Sequence, residues 1–318
     1  MSLRLSVGSA VHLGLRKARV MVQPTTIYTM LGNACLGSCR FCTQSRTSKA
    51  DRKFLSRVIW PAFGLDDVLS RLAVAEAVGR ICIQTLKYAT LLPDLLSTVE
   101  SIKVTSNVPI SVCMNPVNRQ GLIDLKNAGA ERVGVGLDCA TQQTFERIKP
   151  GFSWVRYLQF VEDIVDVFGR GSVHLIVGLG DTDEAMIRMF QHLRDFNAYV
   201  ALFAYTPVRG THLAFAPPPV ERYRALQVAR HLMMQRKATF ADMAFREEKL
   251  ESIRASSSVL ETILETGAPF RTSGCPDCNR PMYNERPGGV MYNYPQPLTE
   301  DEKSKAQLEL EQYLHLDH

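Results

Sequence analysis

No run in this 318-residue sequence approaches the roughly eighteen consecutive apolar residues of a membrane span. The N-terminus also lacks a charged segment followed by an apolar run and a small-residue cleavage site. Both absences predict a cytoplasmic chain without a membrane partner. Blocks of like charge are missing as well. Thirty-seven Lys and Arg stand against 32 Asp and Glu, a net charge of +5, and the basic residues are interspersed, so no nucleic-acid partner is expected. The composition, 46% hydrophobic and 22% charged, excludes disordered, fibrous and disulfide-scaffold classes. No repeat of about 20 to 50 residues is visible beyond a βα rhythm.

What is present in quantity is cysteine: eight residues, at positions 35, 39, 42, 82, 113, 139, 275 and 278. Five of them crowd into two short clusters. In a reducing cytoplasm, clustered thiols serve more often as metal ligands or catalysts than as disulfides.

The rhythm runs from Thr25 to Tyr205. Strands are predicted over 25–31, 80–85, 110–114, 132–137, 173–179 and 199–205, with helices over 66–78, 93–103, 120–128, 154–168 and 183–196. Near-continuous apolar strands separated by helices indicate an α/β fold with a covered parallel sheet. Gly129, Gly169 and Gly171 fall where helix-ending turns are expected. The run Pro217-Pro218-Pro219 breaks the rhythm. Helices are then predicted over 220–239 and 247–266, with an ordered loop over 267–297 and a last helix capped by Thr299 and Glu302. The expected organisation is an N-terminal extension (1–24), a barrel domain (25–240), and a C-terminal extension (241–318) that carries a Cys-x2-Cys pair and covers the barrel mouth.

The segment Cys35-Leu36-Gly37-Ser38-Cys39-Arg40-Phe41-Cys42 follows the first strand with the spacing C-x3-C-x2-C. Three thiolates on one loop provide three corners of a 4Fe-4S cluster and leave one iron open for another ligand. This loop, with Phe41 before its third cysteine, resembles the signature of the radical S-adenosylmethionine (SAM) superfamily. The resemblance implies a partial (β/α)6 TIM-type barrel in which SAM chelates the open iron. An electron from the cluster then cleaves SAM, and a 5'-deoxyadenosyl radical removes a substrate hydrogen.

Further stretches resemble the biotin synthase branch: Arg80-Ile81-Cys82-Ile83-Gln84, Val112-Cys113-Met114, Gly136-Leu137-Asp138, Ile176-Val177-Gly178-Leu179-Gly180 and Thr206-Pro207-Val208-Arg209-Gly210-Thr211. The resemblance implies that Gln84 and Gly178 belong to the SAM site with Phe41. It implies further that Asp138 holds the ribose hydroxyls, Ile176 and Val208 flank adenine, and Arg156 meets the carboxylate. An Arg fork and a carboxylate suit those tasks. Read singly, however, an Asp at a strand end is as often a helix cap, and an Arg on a helix is usually solvated.

Biotin synthase holds an auxiliary cluster with three cysteines and an arginine, and the match here is incomplete. Cys82 and Cys113 correspond. Ser172 replaces the third cysteine, and Phe240-Ala241-Asp242-Met243 has alanine where arginine is expected. Instead the chain has Cys275-Pro276-Asp277-Cys278 after Phe270-Arg271-Thr272-Ser273-Gly274. The expectation is that Cys82, Cys113, Cys275 and Cys278 hold a second, auxiliary iron-sulfur cluster, most simply 4Fe-4S. Ser273 is a secondary ligand candidate by similarity to the Arg-Ser-Ser stretch of lipoyl synthase. A zinc knuckle, or small buried apolar cysteines at 82 and 113, are the bland alternatives. Cys139 is expected to be structural. The segment from Arg280 to Gly289, with Tyr292, Asn293 and Tyr294, suits either a cover over an extended substrate or a packed loop around the cysteine pair.

Together these features resemble the biotin synthase-like subunit of the two-protein lipoyl synthases. The implied reaction is sulfur insertion into an octanoyl chain on a lipoyl carrier. The implied partners are an octanoylated lipoyl domain or glycine-cleavage H protein, a second synthase subunit, and ferredoxin or another electron donor. The alternative is another radical SAM enzyme, a methylase or mutase whose Cys-x2-Cys knuckle is structural, or a non-catalytic iron-sulfur scaffold.

Overall fold

A computed structural model describes residues 1–280, 285 and 288–317. Its centre is an eight-stranded sheet. Six strands are parallel and follow chain order: Thr26–Leu31, Arg80–Thr85, Ile110–Cys113, Arg132–Asp138, Gly171–Val177 and Ala198–Ala204, called here barrel strands one to six. Each expected strand is present, so the α/β fold of partial TIM-barrel type is the observed one. Helices Leu65–Leu72, Leu91–Thr105, Arg119–Asn127, Trp154–Phe168 and Asp183–Asp195 lie between them. They cover the sheet with Val68, Leu95, Val99, Leu122, Phe160, Ile164 and Phe190, all buried. Helix Trp154–Phe168 ends on Gly169 in the left-handed conformation, φ 76°, as a C-terminal glycine should.

Strand alternation decides what faces inward. On barrel strand two, Ile81 and Ile83 are buried under the helices, while Arg80 and Cys82 face the interior beside Ser111 and Cys113 of strand three. On strand five, Ser172, His174 and Ile176 face inward, and Val173, Leu175 and Val177 are buried outward.

Among the described residues, strand six does not pair with strand one, so its outer edge needs other partners for its backbone groups. Side chains supply them. The Leu202 N–H donates to Ser273 Oγ at 2.9 Å, Tyr223 Oη–H donates to the Leu202 carbonyl at 3.0 Å, and Arg230 Nη1 donates to the Val200 carbonyl at 3.1 Å. Tyr223 and Arg230 belong to helix Val220–Met234, which therefore plugs the gap.

Several elements differ from expectation. Ser2–Leu5 is a strand antiparallel to barrel strand one, and Ala62–Gly64 pairs with it, so the first residues extend the sheet itself. Four residues were too few for a period to show. Gln142–Ile148 is an unexpected short helix capped by Thr141. The predicted helix over 247–266 begins only at Ser257. Before it lies a hairpin of Met243–Arg246 and Lys249–Arg254, turned by Glu247 and Glu248 at φ 49° and 62°. A two-residue turn with both φ positive fits strand twist, but paired glutamates carry none of the Asn-Gly signal that would reveal it. Helix Glu300–Glu311 has the expected Thr299/Glu302 capping box.

The edge contact of Ser273 is testable. Ser273→Ala leaves a buried N–H unsatisfied, which costs about 1–3 kcal/mol. Urea denaturation should show that loss with iron content unchanged, whereas a fall in iron content would mark Ser273 as a ligand.

Candidate metal and cofactor site

The Cys35–Cys42 loop leaves the C-terminal end of barrel strand one and is pinned on three sides. Leu36 N–H donates to the Lys87 carbonyl beyond strand two at 2.7 Å, and Arg40 N–H donates to Ile148 at 2.9 Å. Ser38 Oγ donates to the Pro150 carbonyl at 2.7 Å. The Arg40 carbonyl accepts from His212 and Leu213 at 2.9 and 3.1 Å, and Lys49 N–H donates to Gly210 at 2.8 Å. The loop thus ties the exit of strand one to the segment after strand six, closing at the mouth the gap that the sheet leaves open. Gly37 is required there, because a Cβ would meet the Phe152 ring at 2.9 Å.

Burial pushes the Cys39 thiol up to about 11, Lys149 opposing, and the Cys42 thiol up to about 12. Cys35 raises the Cys39 thiol, and both raise that of Cys42, so the three sulfurs lie near one another.

A cavity of about 130 Å³ opens beside this loop, lined by Phe41, Cys42, Asp138, His174, Ile176 and the strand-six segment Phe203–Thr206. Three of the predicted cofactor residues, Phe41, Asp138 and Ile176, meet here. Asp138 has φ 69° and is held by Lys149, whose Nζ lies 2.8 Å from its Oδ2 and over the rings of Tyr157, Phe145 and Phe152 at 4.4, 5.3 and 5.5 Å. Burial works against the Lys149 charge, but Asp138, Tyr157 and Cys39 outweigh it and hold the ammonium protonated. No pattern in the sequence singles out Lys149.

The other four predicted cofactor residues do not line this cavity. Gln84 is half-buried at the exit of strand two, and Val208 is half-buried after strand six. Gly178 turns the chain after strand five at φ 103°, where a Cβ would meet Pro218 at 3.0 Å, so its role is in the backbone. Arg156 is engaged elsewhere: it pairs with Asp163 at 3.0 Å and donates to the Val117 carbonyl.

Deeper in the barrel is a second cavity, lined by Cys82, Cys113, Cys275 and Cys278 together with Arg80, Ser111, Ser172, His174 and Arg280. All four candidate auxiliary ligands converge there, from two strands and one distant loop. Burial raises the Cys82 thiol well above its ordinary value, with Arg280 opposing, and pushes Cys113 up to about 12. Cys139, by contrast, is buried and lines neither cavity.

The Cys-x2-Cys segment does not cover the mouth as expected; its position corrects that reading. It closes the opposite end, where the parallel strands begin. Thr26 Oγ1 donates to the Asp277 carbonyl at 2.8 Å, Thr25 N–H donates to Asn279 at 3.1 Å, and Arg80 Nε donates to the Pro276 carbonyl at 2.9 Å. Arg80 also reaches Ser111 and Glu131 at 2.9 and 3.0 Å, anchoring the knuckle to strands two and three. Tyr28 Oη lies 3.5 Å from Cys278 Sγ and accepts from the Arg280 N–H at 2.6 Å. Ser273 lies outside the cavity lining, its oxygen engaged by Leu202.

Positions 281–284, 286 and 287 of the tail lie outside the described residues. Tyr292, Asn293 and Tyr294 pack as a loop against helix Val220–Met234 and the knuckle. Tyr292 and Tyr223 stack edge-on at 5.2 Å, Asn293 Oδ1 accepts from Tyr223 at 3.2 Å, and the Tyr294 carbonyl accepts from Thr272 at 3.0 Å.

Residues 29–193 match the radical SAM superfamily, and the chain belongs to it. The domain of that superfamily binds a 4Fe-4S cluster and SAM, and the Cys35–Cys42 loop is where this chain has the donors for it. Solved structures agree in fold. The FeFe-hydrogenase maturase HydG is similar at TM-score 0.56 and 13% identity over 75% of this chain and 54% of that one. Methylornithine synthase PylB is similar at TM-score 0.56 and 11% identity over 72% and 65%. HydG from Carboxydothermus hydrogenoformans is similar at TM-score 0.55 and 14% identity over 92% and 67%. The chain thus spans little more than half of the first HydG chain. No curated protein matches it. Among the described residues, no helix is long and apolar enough to cross a membrane.

Two predictions follow from the charges. Lys149→Met strands Asp138 in a buried position, a loss of about 3–5 kcal/mol, which chemical denaturation of the metal-free chain should register. The second concerns pH. The unfolded chain releases thiol protons near 9.0, whereas the folded metal-free chain keeps those of Cys39 until about 11 and of Cys42 and Cys113 until about 12. From pH 9 to 12 the folded state therefore binds more protons, and stability falls as pH rises. Anaerobic melting of the metal-free chain should give a lower Tm at pH 10 than at pH 7.5; an equal Tm would contradict the burial of these thiols.

Proposed function

We propose that the protein is a sulfur-inserting radical SAM enzyme that acts on an octanoyl chain carried by a lipoyl domain or glycine-cleavage H protein, together with a second synthase subunit. The observation that carries this reading is the convergence of Cys82, Cys113, Cys275 and Cys278 on one cavity beneath the cofactor cavity. A radical SAM site needs three cysteines, and this barrel assembles seven in two sets along its axis.

The donor chemistry fits an auxiliary iron-sulfur cluster. Four soft thiols surround one enclosed space, and the Arg80 and Arg280 guanidiniums beside them offset thiolate charge.

When bound, SAM with its cluster supplies a carbon radical able to take hydrogen from an unactivated carbon, and the auxiliary cluster supplies sulfur. The chain's own residues prepare that chemistry. Lys149 fixes Asp138 at the cofactor cavity, where the carboxylate can accept from two ribose hydroxyls. Phe41 and Ile176 give the same cavity apolar walls, and Phe203 and Tyr205 narrow its far side. An octanoyl thread gains about 0.8 kcal/mol for each methylene buried against such walls. The cysteine pair floors the lower cavity, and the acyl arm enters from the mouth. A net charge of +5 complements an acidic carrier and an acidic electron donor such as ferredoxin.

Two measurements test the reading. Anaerobic reconstitution should give about eight irons per chain, falling to about four in Cys275→Ala/Cys278→Ala. An octanoyl-lysine peptide incubated with SAM, reductant and the chain, with and without the second subunit, should gain sulfur by mass spectrometry. No gain of sulfur in either mixture would reject sulfur insertion.

A further inference from the structure

Barrel strand five places three inward side chains along the barrel axis. Of the two cavities, Ser172 lines that of the cysteines and Ile176 that of the cofactor, and His174 between them lines both. Among the described residues, His174 is the one side chain common to both linings. Its Nδ1 lies 3.7 Å from Cys113 Sγ, within reach of a hydrogen bond to sulfur. Its ring is fixed by Phe203, 5.2 Å away at 59°, and the Arg280 guanidinium lies 4.3 Å over that phenyl ring.

We propose that His174 is a positioning residue that donates its Nδ1–H to the Cys113 sulfur and forms the partition between the cofactor cavity and the auxiliary cluster. The direction of the hydrogen bond follows from chemistry. A metal-bound Cys113 is a thiolate with no proton to give, so only the imidazole can donate. A donor to a cluster thiolate withdraws electron density from sulfur and makes the cluster easier to reduce. The same ring faces the cavity through which an acyl carbon must approach, so it also sets how close that carbon comes. The proposal rests on the auxiliary-cluster reading above.

The test is a potentiometric titration, followed by electron paramagnetic resonance, of the anaerobically reconstituted full chain and three variants. His174→Leu and His174→Phe remove the donor with different shapes, so that the result does not hang on one side chain packing well. His174→Gln keeps an N–H. The apolar variants should keep about eight irons, shift the auxiliary potential to more negative values and leave the Cys35–Cys42 cluster unmoved, with His174→Gln shifting less. An unmoved auxiliary potential at about eight irons overturns this proposal alone. A drop to about four irons in the apolar variants overturns it in favour of a ligand role. About four irons in the unsubstituted chain would overturn both the proposal and the reading beneath it.

Discussion

The structure depends on how an open barrel is closed. Among the described residues, strand six has no strand partner on its outer edge, and backbone groups inside a protein must find partners. This chain answers at both ends of the gap with cysteine-bearing segments. At the mouth, the Cys35–Cys42 loop is hydrogen-bonded to the segment after strand six, the Arg40 carbonyl accepting from His212 and Leu213. At the floor, the segment around Cys275 and Cys278 is bonded to Thr25, Thr26 and Arg80 on one side and, through Ser273, to Leu202 on the other. The closure of the fold and the placement of the thiols are one constraint, so a metal at either end binds to a segment that already holds the barrel shut.

Burial then sets the chemistry. The thiols of Cys39, Cys42, Cys82 and Cys113 are all driven upward by desolvation, which favours the protonated metal-free fold. Loading a cluster must release those protons. Lys149 and Arg280 supply the opposing charge, and each is fixed by contacts: Lys149 by Asp138 and three rings, and Arg280 by its place over Phe203.

Much of this was legible in the sequence. The six strands were, because buried parallel strands read as apolar runs, and so was the cysteine loop, because its spacing is specific. The structure places Cys82, Cys113 and the late pair in one cavity lining. The end of the barrel at which they meet was not legible, because nothing in Cys275-Pro276-Asp277-Cys278 records that Thr25, Thr26 and Arg80 receive it. Lys149 was hidden for the same reason: its partners lie eleven residues back and across a helix, with no period linking them. His174 could have been found, since Ser172, His174 and Ile176 share one face of a strand by simple alternation. Arg156, carried over by resemblance, has its side chain occupied by Asp163 and Val117.

The central claim is that two iron centres lie along the barrel axis, one at each closure. Anomalous diffraction at the iron edge from crystals of the anaerobically reconstituted chain tests it most directly. The account predicts two iron peaks, one at Cys35, Cys39 and Cys42, and a second enclosed by Cys82, Cys113, Cys275 and Cys278 at the floor. A single peak at the mouth, with the floor cysteines around a cavity holding no iron, would contradict it.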